Sequence, residues 1–305
     1  MFNEPFEWNH QAFGGTEYMA RNFRELVLPH VPKLRDYLCL VIPGLVPAMS
    51  DIIDQPKKVI VWMHNTPIQF SQENLNNLKR KPFLDKVKYF IAVSEFSKQE
   101  IVNQLEVPPE QVYVIPNAIH NLKYDSYKFN NPSKVRLINT SSPDRGIDVL
   151  LNSMRFIEED FELDIFSRFN PNEHPEYVPD PRINFYGFCP KPTVIKHYQS
   201  AHIHAYPSTY PETFCISQAE AMSAGLLCVT SDIGALPEVS GGKTTIYPYT
   251  EDGVEHAKSF ARHISNSIQI IKSGKWDPTE QIEYVNKTYS WEAIKNKWLE
   301  FHETL

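Results

Sequence analysis

Two carboxylates carry the clearest chemical signal in this chain. Glu212 and Glu220 are separated by seven residues in Pro211-Glu212-Thr213-Phe214-Cys215-Ile216-Ser217-Gln218-Ala219-Glu220. The run before them, Ala201 to Ser208, alternates like a strand and ends in a Pro-Ser turn. A strand that feeds a loop and then a helix N-terminus presents unpaired backbone N–H groups and a positive dipole end, which suits a phosphate. If the helix begins near Phe214, Glu220 lies about two turns in, within reach of the same pocket. Ribose hydroxyls are donors that a carboxylate accepts, so one acid near a sugar and one near a ribose is a coherent pair. The same pattern also fits a buried strand–helix–strand unit with two incidental glutamates, and the rest of the chain has to decide.

Other residues point to similar chemistry. Phe13-Gly14-Gly15-Thr16-Glu17 stands just before a helix pattern. Its glycines let the backbone approach a ligand closely. His64, in Val61-Trp62-Met63-His64-Asn65, falls just beyond the C-terminal end of a predicted strand, where ligands sit in open α/β sheets. His202 and His204 share one side of a strand, but no third ligand stands nearby, so no metal site is expected. The chain has no Asp-x-Asp, no Gly-x-Gly-x-x-Gly and no Walker A run, which disfavours metal-dependent single-domain transferases, hydride transfer and ATP hydrolysis.

These residues need a scaffold, and apolar runs alternating with helix patterns supply one. At 305 residues the chain holds one large or two ordinary domains. Strands are predicted over Tyr37–Ile42, Lys58–Met63, Tyr89–Val93 and Val112–Ile115, with helices over Thr16–Leu28 and Ser97–Leu105, the latter capped by Ser94. His120 to Lys134 is polar and aperiodic and reads as a linker. Beyond it, Val135–Asn139, Leu163–Phe166, Ile183–Tyr186, His202–Tyr206 and Leu226–Thr230 form a second strand series. A last helix, Trp291–Glu303, is amphipathic, with Ile294, Trp298, Leu299 and Phe301 as its expected buried members. The fold class is therefore α/β with parallel sheets.

Composition narrows the partners. A net charge of −7, with the acidity in the C-terminal part, argues against a nucleic-acid partner. Lys79, Arg80, Lys81, Lys86 and Lys88 form a local basic cluster, expected as a solvated surface, with peripheral membrane contact the lesser alternative. Cys39, Cys189, Cys215 and Cys228 lack metal-ligand spacing and are expected as buried free thiols. No run approaches a membrane span or a signal peptide, so a cytoplasmic protein is expected.

Several segments, in order, resemble the retaining glycosyltransferases of the two-domain GT-B fold, in particular the family-4-like group marked by Glu-x7-Glu. The similarity runs from Gly14 to about Glu238. It includes Leu226 to Glu238, and Ala92-Val93-Ser94 followed by Ile115-Pro116-Asn117. In that last motif Ala118 replaces the usual glycine and His120 the usual acid, and Asn117 is expected to organise the interdomain turn. Thr140 to Leu151 resembles the phosphate-binding segment, with Arg145 in the position of the usual lysine and Thr140 where an arginine is usual. Arg168 is a candidate to restore that second cation.

The resemblance implies two Rossmann-like domains facing each other across a cleft. Residues 1–125 would form the N-terminal, acceptor-side domain and residues 126–290 the nucleotide-sugar-binding domain, with a helix at about 290–305 crossing back. It implies a metal-independent hexosyltransferase that moves a hexose, with retention, from a nucleotide diphosphate sugar to an acceptor hydroxyl on a glycan, glycolipid or glycoprotein. The nucleotide sugar is a substrate, and no cofactor is expected. Glu212, His64 and Arg145 are the implied catalytic residues. Gly14, Gly15, Arg145, Gly187, Phe188, Thr213, Phe214 and Glu220 are the implied donor-binding residues, and Trp8, His10 and residues 44–50 lie in loops that would meet an acceptor. Two alternatives stay open: a catalytically silent nucleotide-sugar-binding homologue and a nucleotide-sugar epimerase.

Overall fold

A computed structural model of the chain describes residues 15–42, 52–54, 56–130, 132–175 and 177–305. Gly14, Trp8, His10 and residues 44–50 lie outside them. The chain forms two units, residues 1–118 with 289–305, and residues 119–288.

The first unit is built on a parallel sheet in the order β1 (Leu38–Ile42), β2 (Val59–Met63), β3 (Val87–Ala92), β4 (Val112–Val114). β2 is buried along its whole length, as a central parallel strand covered on both faces must be. Helix α1 (Gly15–Leu26) buries Met19, Ala20 and Phe23. Short helices α2 (Gln72–Leu78) and α3 (Lys81–Leu84) lead into β3. Helix α4 (Glu95–Leu105) starts where its cap predicts, with Ser94 Oγ accepting from the Ser97 N–H at 2.9 Å. In the basic cluster, Lys79 stands 3.9 Å from Glu106, and Lys81 and Lys88 are exposed.

The second unit has a six-stranded, all-parallel sheet. Its strands are β5 (Val135–Asn139), β6 (Phe161–Ile165), β7 (Ile183–Phe185), β8 (Ile203–Tyr206), β9 (Leu227–Ser231) and β10 (Thr245–Tyr247), arranged β10-β9-β8-β5-β6-β7. Helices α5 (Ile147–Ser153), α6 (Lys191–Ser200), α7 (Ile216–Ser223) and α8 (Leu236–Ser240) lie in the crossovers between strands, and α9 (Gly253–Lys272) and α10 (Thr279–Tyr289) follow the last strand. Asp252 caps α9, accepting from Val254 N at 3.0 Å and Glu255 N at 3.1 Å. One core joins Leu137, Leu163, Ile203 and Val229 of the sheet to Phe260, Ile264 and Ile268 of α9.

The segment expected to be a free linker is not one. Phe129 joins this core, and Lys128 donates to the carbonyls of Tyr198 (3.3 Å) and Ala224 (2.9 Å), at the ends of α6 and α7. His202 is fixed nearby: its Nδ1 accepts from Arg136 N (2.9 Å) and its Nε2 lies 2.8 Å from Lys128 O.

Helix α11 (Trp291–Glu303) belongs to the first unit. Its Trp298 ring packs 4.7 Å from Phe23 and 5.4 Å from Trp62, and Phe301 meets Tyr113 (4.9 Å) and Tyr89 (5.4 Å). Ile294, Trp298 and Phe301 are buried as the periodicity predicts, whereas Leu299 is only half-buried and Trp291 and His302 take its share of the buried face. Of the four free cysteines, Cys189 is half-exposed, unlike the other three. No helix among the described residues is long and apolar enough to cross a membrane.

Candidate functional site

In the second sheet β5 and β8 lie side by side, and the chain builds outward from them in opposite directions. The crevice beyond the C-terminal ends of such a strand pair is where an open parallel sheet receives ligands. Two loops meet there. Asn139, the last residue of β5, donates from Nδ2 to Ala205 O of β8 at 2.8 Å. Gly146 has φ +100°, and a Cβ there would stand 2.3 Å from Pro207 O. Only glycine lets the β5 loop close this tightly on the β8 loop, and that closure places Arg145.

Arg145 is held on three sides. Its Nε donates to Glu212 Oε1 at 3.0 Å, its Nη1 pairs with Asp144, and the guanidinium lies over the Tyr210 ring, 3.4 Å from the centroid. Glu212, with a side chain 14% exposed, also accepts from the Tyr206 hydroxyl at 2.5 Å. Its backbone is pinned as well: Ala235 N donates to Glu212 O at 2.7 Å, and a Cβ on Gly234 (φ +64°) would lie 2.6 Å from that oxygen. Burial pushes the Glu212 carboxyl above the ordinary carboxylate range, although Arg145 and the Tyr206 hydroxyl pull the other way. Burial opposes the Arg145 charge, but Glu212 and Asp144 more than offset it, so the guanidinium holds its proton more firmly than usual. The result is a carboxylate and a guanidinium in one hydrogen-bonded cluster at the mouth of the crevice.

Glu220 heads a second group. It is 3% exposed on α7, and its Oε1 pairs with Lys191 Nζ from the first residue of α6. His120 and Tyr198 also face it. Burial lowers the His120 pKa against the opposing influence of Glu220. Burial raises that of Tyr198, and Glu220 adds to the rise. The Tyr198 hydroxyl lies 2.5 Å from Thr140 Oγ1 and donates to Ser217 O at 3.3 Å, so Thr140 serves a tyrosine where a cation was looked for.

The start of α7 corrects the sequence expectation. The helix begins at Ile216, not near Phe214, so Glu220 sits about one turn in and Glu212 lies wholly in the loop. Cys215 precedes the helix at φ +75°, ψ +80°, a left-handed conformation rare for a side-chain-bearing residue. Phe214 is 1% exposed, so its ring is packing and only its backbone is available to a ligand, while Thr213 is half-buried.

A third place is marked by Gly187 (φ +67°) and Phe188, a residue 58% exposed whose ring centroid lies 5.3 Å from the Arg168 guanidinium. Next to it Tyr186 stacks on Phe166 at 4.7 Å, with His197 set edge-on to both and bonded to Asp164 at 2.8 Å.

Gly15 and His64 belong to the first unit. Gly15 opens α1. His64 is 5% exposed, packs 4.5 Å from the Trp62 ring, and donates its backbone N–H to Ile42 O at 3.1 Å. Burial lowers its pKa to about 3, so the imidazole is neutral throughout the physiological range. Among the described residues no group of three or more His, Cys, Asp or Glu side chains is arranged to hold a metal ion.

Tyr206, Tyr210, Asp144, Tyr198 and Lys191 were not singled out as site residues from the sequence. Tyr206 carried a usable signal, as the last residue of a strand that ends at the crevice. Lys191 meets Glu220 only through the fold.

Comparison with known proteins agrees with this architecture. Residues 136–269 match a family model described as "Glycosyl transferases group 1", and residues 18–121 match one described as "Glycosyltransferase Family 4". The Saccharomyces cerevisiae phosphatidylinositol N-acetylglucosaminyltransferase GPI3 subunit is 22% identical over 247 residues, covering 73% of this chain and 52% of its own length. The chain thus spans about half the length of that relative. A phosphatidylinositol N-acetylglucosaminyltransferase subunit from Arabidopsis thaliana is 22% identical over 325 residues, covering 93% of this chain and 70% of its own. Among solved structures, Anabaena HepE in complex with UDP superposes with a TM-score of 0.71 at 16% identity, covering 93% of this chain and 84% of that one.

Two parallel-sheet units of this kind define the GT-B class of fold. With both family models matched in order along it, the chain belongs to the family-4-like GT-B glycosyltransferases.

Proposed function

We propose that the protein is a retaining glycosyltransferase. It moves a hexose or N-acetylhexosamine from a nucleotide diphosphate sugar to a hydroxyl of a carbohydrate or glycoconjugate acceptor, without metal or cofactor. The observation that carries this is the Arg145–Glu212 cluster at the β5/β8 crevice, with Glu220 on the helix that follows. Negative charge grows on the leaving diphosphate in the transition state, and a preorganised guanidinium is the group that stabilises it. A diphosphate would take Arg145 over from Glu212 and Asp144, releasing the Glu212 carboxylate towards the donor sugar. Glu220 would accept from the ribose hydroxyls, and Gly187 and Phe188 would border the base. Attack from the same face as the departing diphosphate keeps the anomeric configuration, and no side chain is assigned as a covalent nucleophile. His64, neutral and in the first unit, would approach the donor sugar as a hydrogen-bonding group. The uridine nucleotide in HepE makes UDP-sugars the first donors to try. Four free thiols fit a reducing, cytoplasmic setting.

A second reading, nucleotide-sugar binding without turnover, is favoured by one observation. Thr140 replaces a cation and its hydroxyl is committed to Tyr198.

The test is a panel of UDP-, GDP- and ADP-sugars read by thermal shift and by release of the nucleoside diphosphate, with Glu220→Ala alongside. One donor should stabilise the wild type, release its nucleoside diphosphate and give an acceptor product of unchanged anomeric configuration by NMR. The variant should lose both effects. Stabilisation with no release under any acceptor leaves the binding-only reading, and no stabilisation by any donor refutes both.

A further inference from the structure

Lys191 is in the wrong place for its helix. It is the first residue of α6, where the exposed N–H groups and the positive end of the helix dipole disfavour a cation. Neither Lys191 nor any other residue in the first turn of α6 is acidic, and Pro190 at the cap position gives no side-chain hydrogen bond. A local rule broken in this way marks a residue selected for something other than its own element. Its ammonium instead reaches Oε1 of Glu220. The two side chains are very differently placed: that of Glu220 is 4% exposed and that of Lys191 is 37% exposed. The lysine therefore reaches from a half-exposed position to a buried carboxylate, and among the described residues it is the full cation paired with it, where a buried charge left alone would be costly.

The other groups facing Glu220 do not replace it. His120 is exposed, and burial of part of its ring keeps its pKa below the usual value, so it is uncharged at pH 8. Tyr198 is neutral, and its hydroxyl is occupied by Thr140 and Ser217.

We propose that Lys191 is a positioning residue for the nucleotide: it holds the Glu220 carboxylate aimed at the ribose, and so makes the site select ribonucleotides over their deoxy counterparts. This rests on the donor reading of Glu220 given above.

The experiment is calorimetric titration of the intact protein at pH 8 with UDP and with 2′,3′-dideoxy-UDP, comparing wild type, Lys191→Met and Lys191→Arg. Hydrogen bonds from the ribose to a carboxylate should make the wild type prefer UDP by about tenfold or more. Lys191→Met should weaken UDP by about tenfold and leave dideoxy-UDP nearly unchanged, so that the preference falls to about twofold or less. Lys191→Arg should keep the preference. If Lys191→Met fails to fold, Lys191→Gln removes the charge at similar reach and is read the same way. The proposal is overturned if the charge-free variant keeps the preference, or if it weakens both ligands equally, as loss of structure would. A wild type that binds UDP but does not distinguish the two ligands refutes the ribose reading of Glu220 and takes the Lys191 role with it. Where UDP does not bind, GDP and ADP are titrated against their 2′,3′-dideoxy counterparts and read the same way, and binding of none of the three refutes the donor reading on which the role rests.

Discussion

At the scale of single residues, the site turns on how Arg145 and Glu212 share one pocket. Their bond, the Tyr206 hydroxyl and the Tyr210 ring hold both charged groups in place before any ligand arrives. Glu212→Gln keeps the shape but not the charge. It should reduce transfer by about 100-fold or more while changing nucleoside diphosphate affinity far less, as separate measurements of kcat and of UDP binding would show. The raised carboxyl of Glu212 sets the sign of the pH response: it takes up a proton at a higher pH than the ordinary 4.5, so the acid limb of kcat/KM should lie above that value. His64, already neutral down to about pH 3, cannot supply that limb. Cys215 gives a different kind of test. At φ +75° a β-branched side chain is strongly strained and glycine is not. Cys215→Val should therefore be less stable than Cys215→Gly by about 1–2 kcal/mol or more in urea unfolding, although the glycine gives up the packing of the buried thiol on Tyr206 and Leu236.

Among the elements, the ends of α6 and α7 share one lysine. Lys128 donates to a terminal carbonyl of each, with the rings of Phe129 and Tyr124 beside it, and burial lowers its pKa to about 7. The unfolded chain keeps a proton on this lysine up to its ordinary 10.5, whereas the folded protein gives it up above about pH 7. Stability therefore rises with pH across that window. Compared with Lys128→Met, the wild type should gain about 2 kcal/mol in urea unfolding between pH 7 and pH 9. How much of this scale was legible differs by element. The run Val59–Met63 announced itself, because a strand covered on both faces is apolar throughout, whereas Leu227–Ser231 is equally buried but ends in Thr230 and Ser231. The three-residue β10 is too short to show a period. The start of α7 was misplaced because Thr-Phe-Cys-Ile carries no glycine to warn of a left-handed turn at Cys215. Lys128 looked like loop charge because its partners, Tyr198 and Ala224, are distant in sequence. The glutamate pair itself was visible from spacing, but the tyrosines and Lys191 around it come together only by folding.

For the molecule as a whole, the first unit is discontinuous, with the second unit inserted between Ala118 and Tyr289. Its core takes Ile294, Trp298 and Phe301 from α11. Trp298→Ala removes a ring packed on Phe23 and Trp62 and should cost about 3–5 kcal/mol. Deleting residues 290–305 should abolish amide-exchange protection in β1 to β4 while β5 to β10 keep theirs. Loss of protection in both sheets would show that the second unit depends on the helix too.

That insertion also imposes an order on synthesis. The first sheet emerges from the ribosome early, but the helix that closes its core is encoded after residue 288. At about 5–20 residues per second, the segment between takes roughly ten to thirty seconds to make. Through that interval Phe23 and Trp62, both fully buried in the finished protein, lack their cover. The nascent chain is then a client for whatever shields exposed aromatic surface in the cell, and slow codons in the second half of the message would lengthen that exposure.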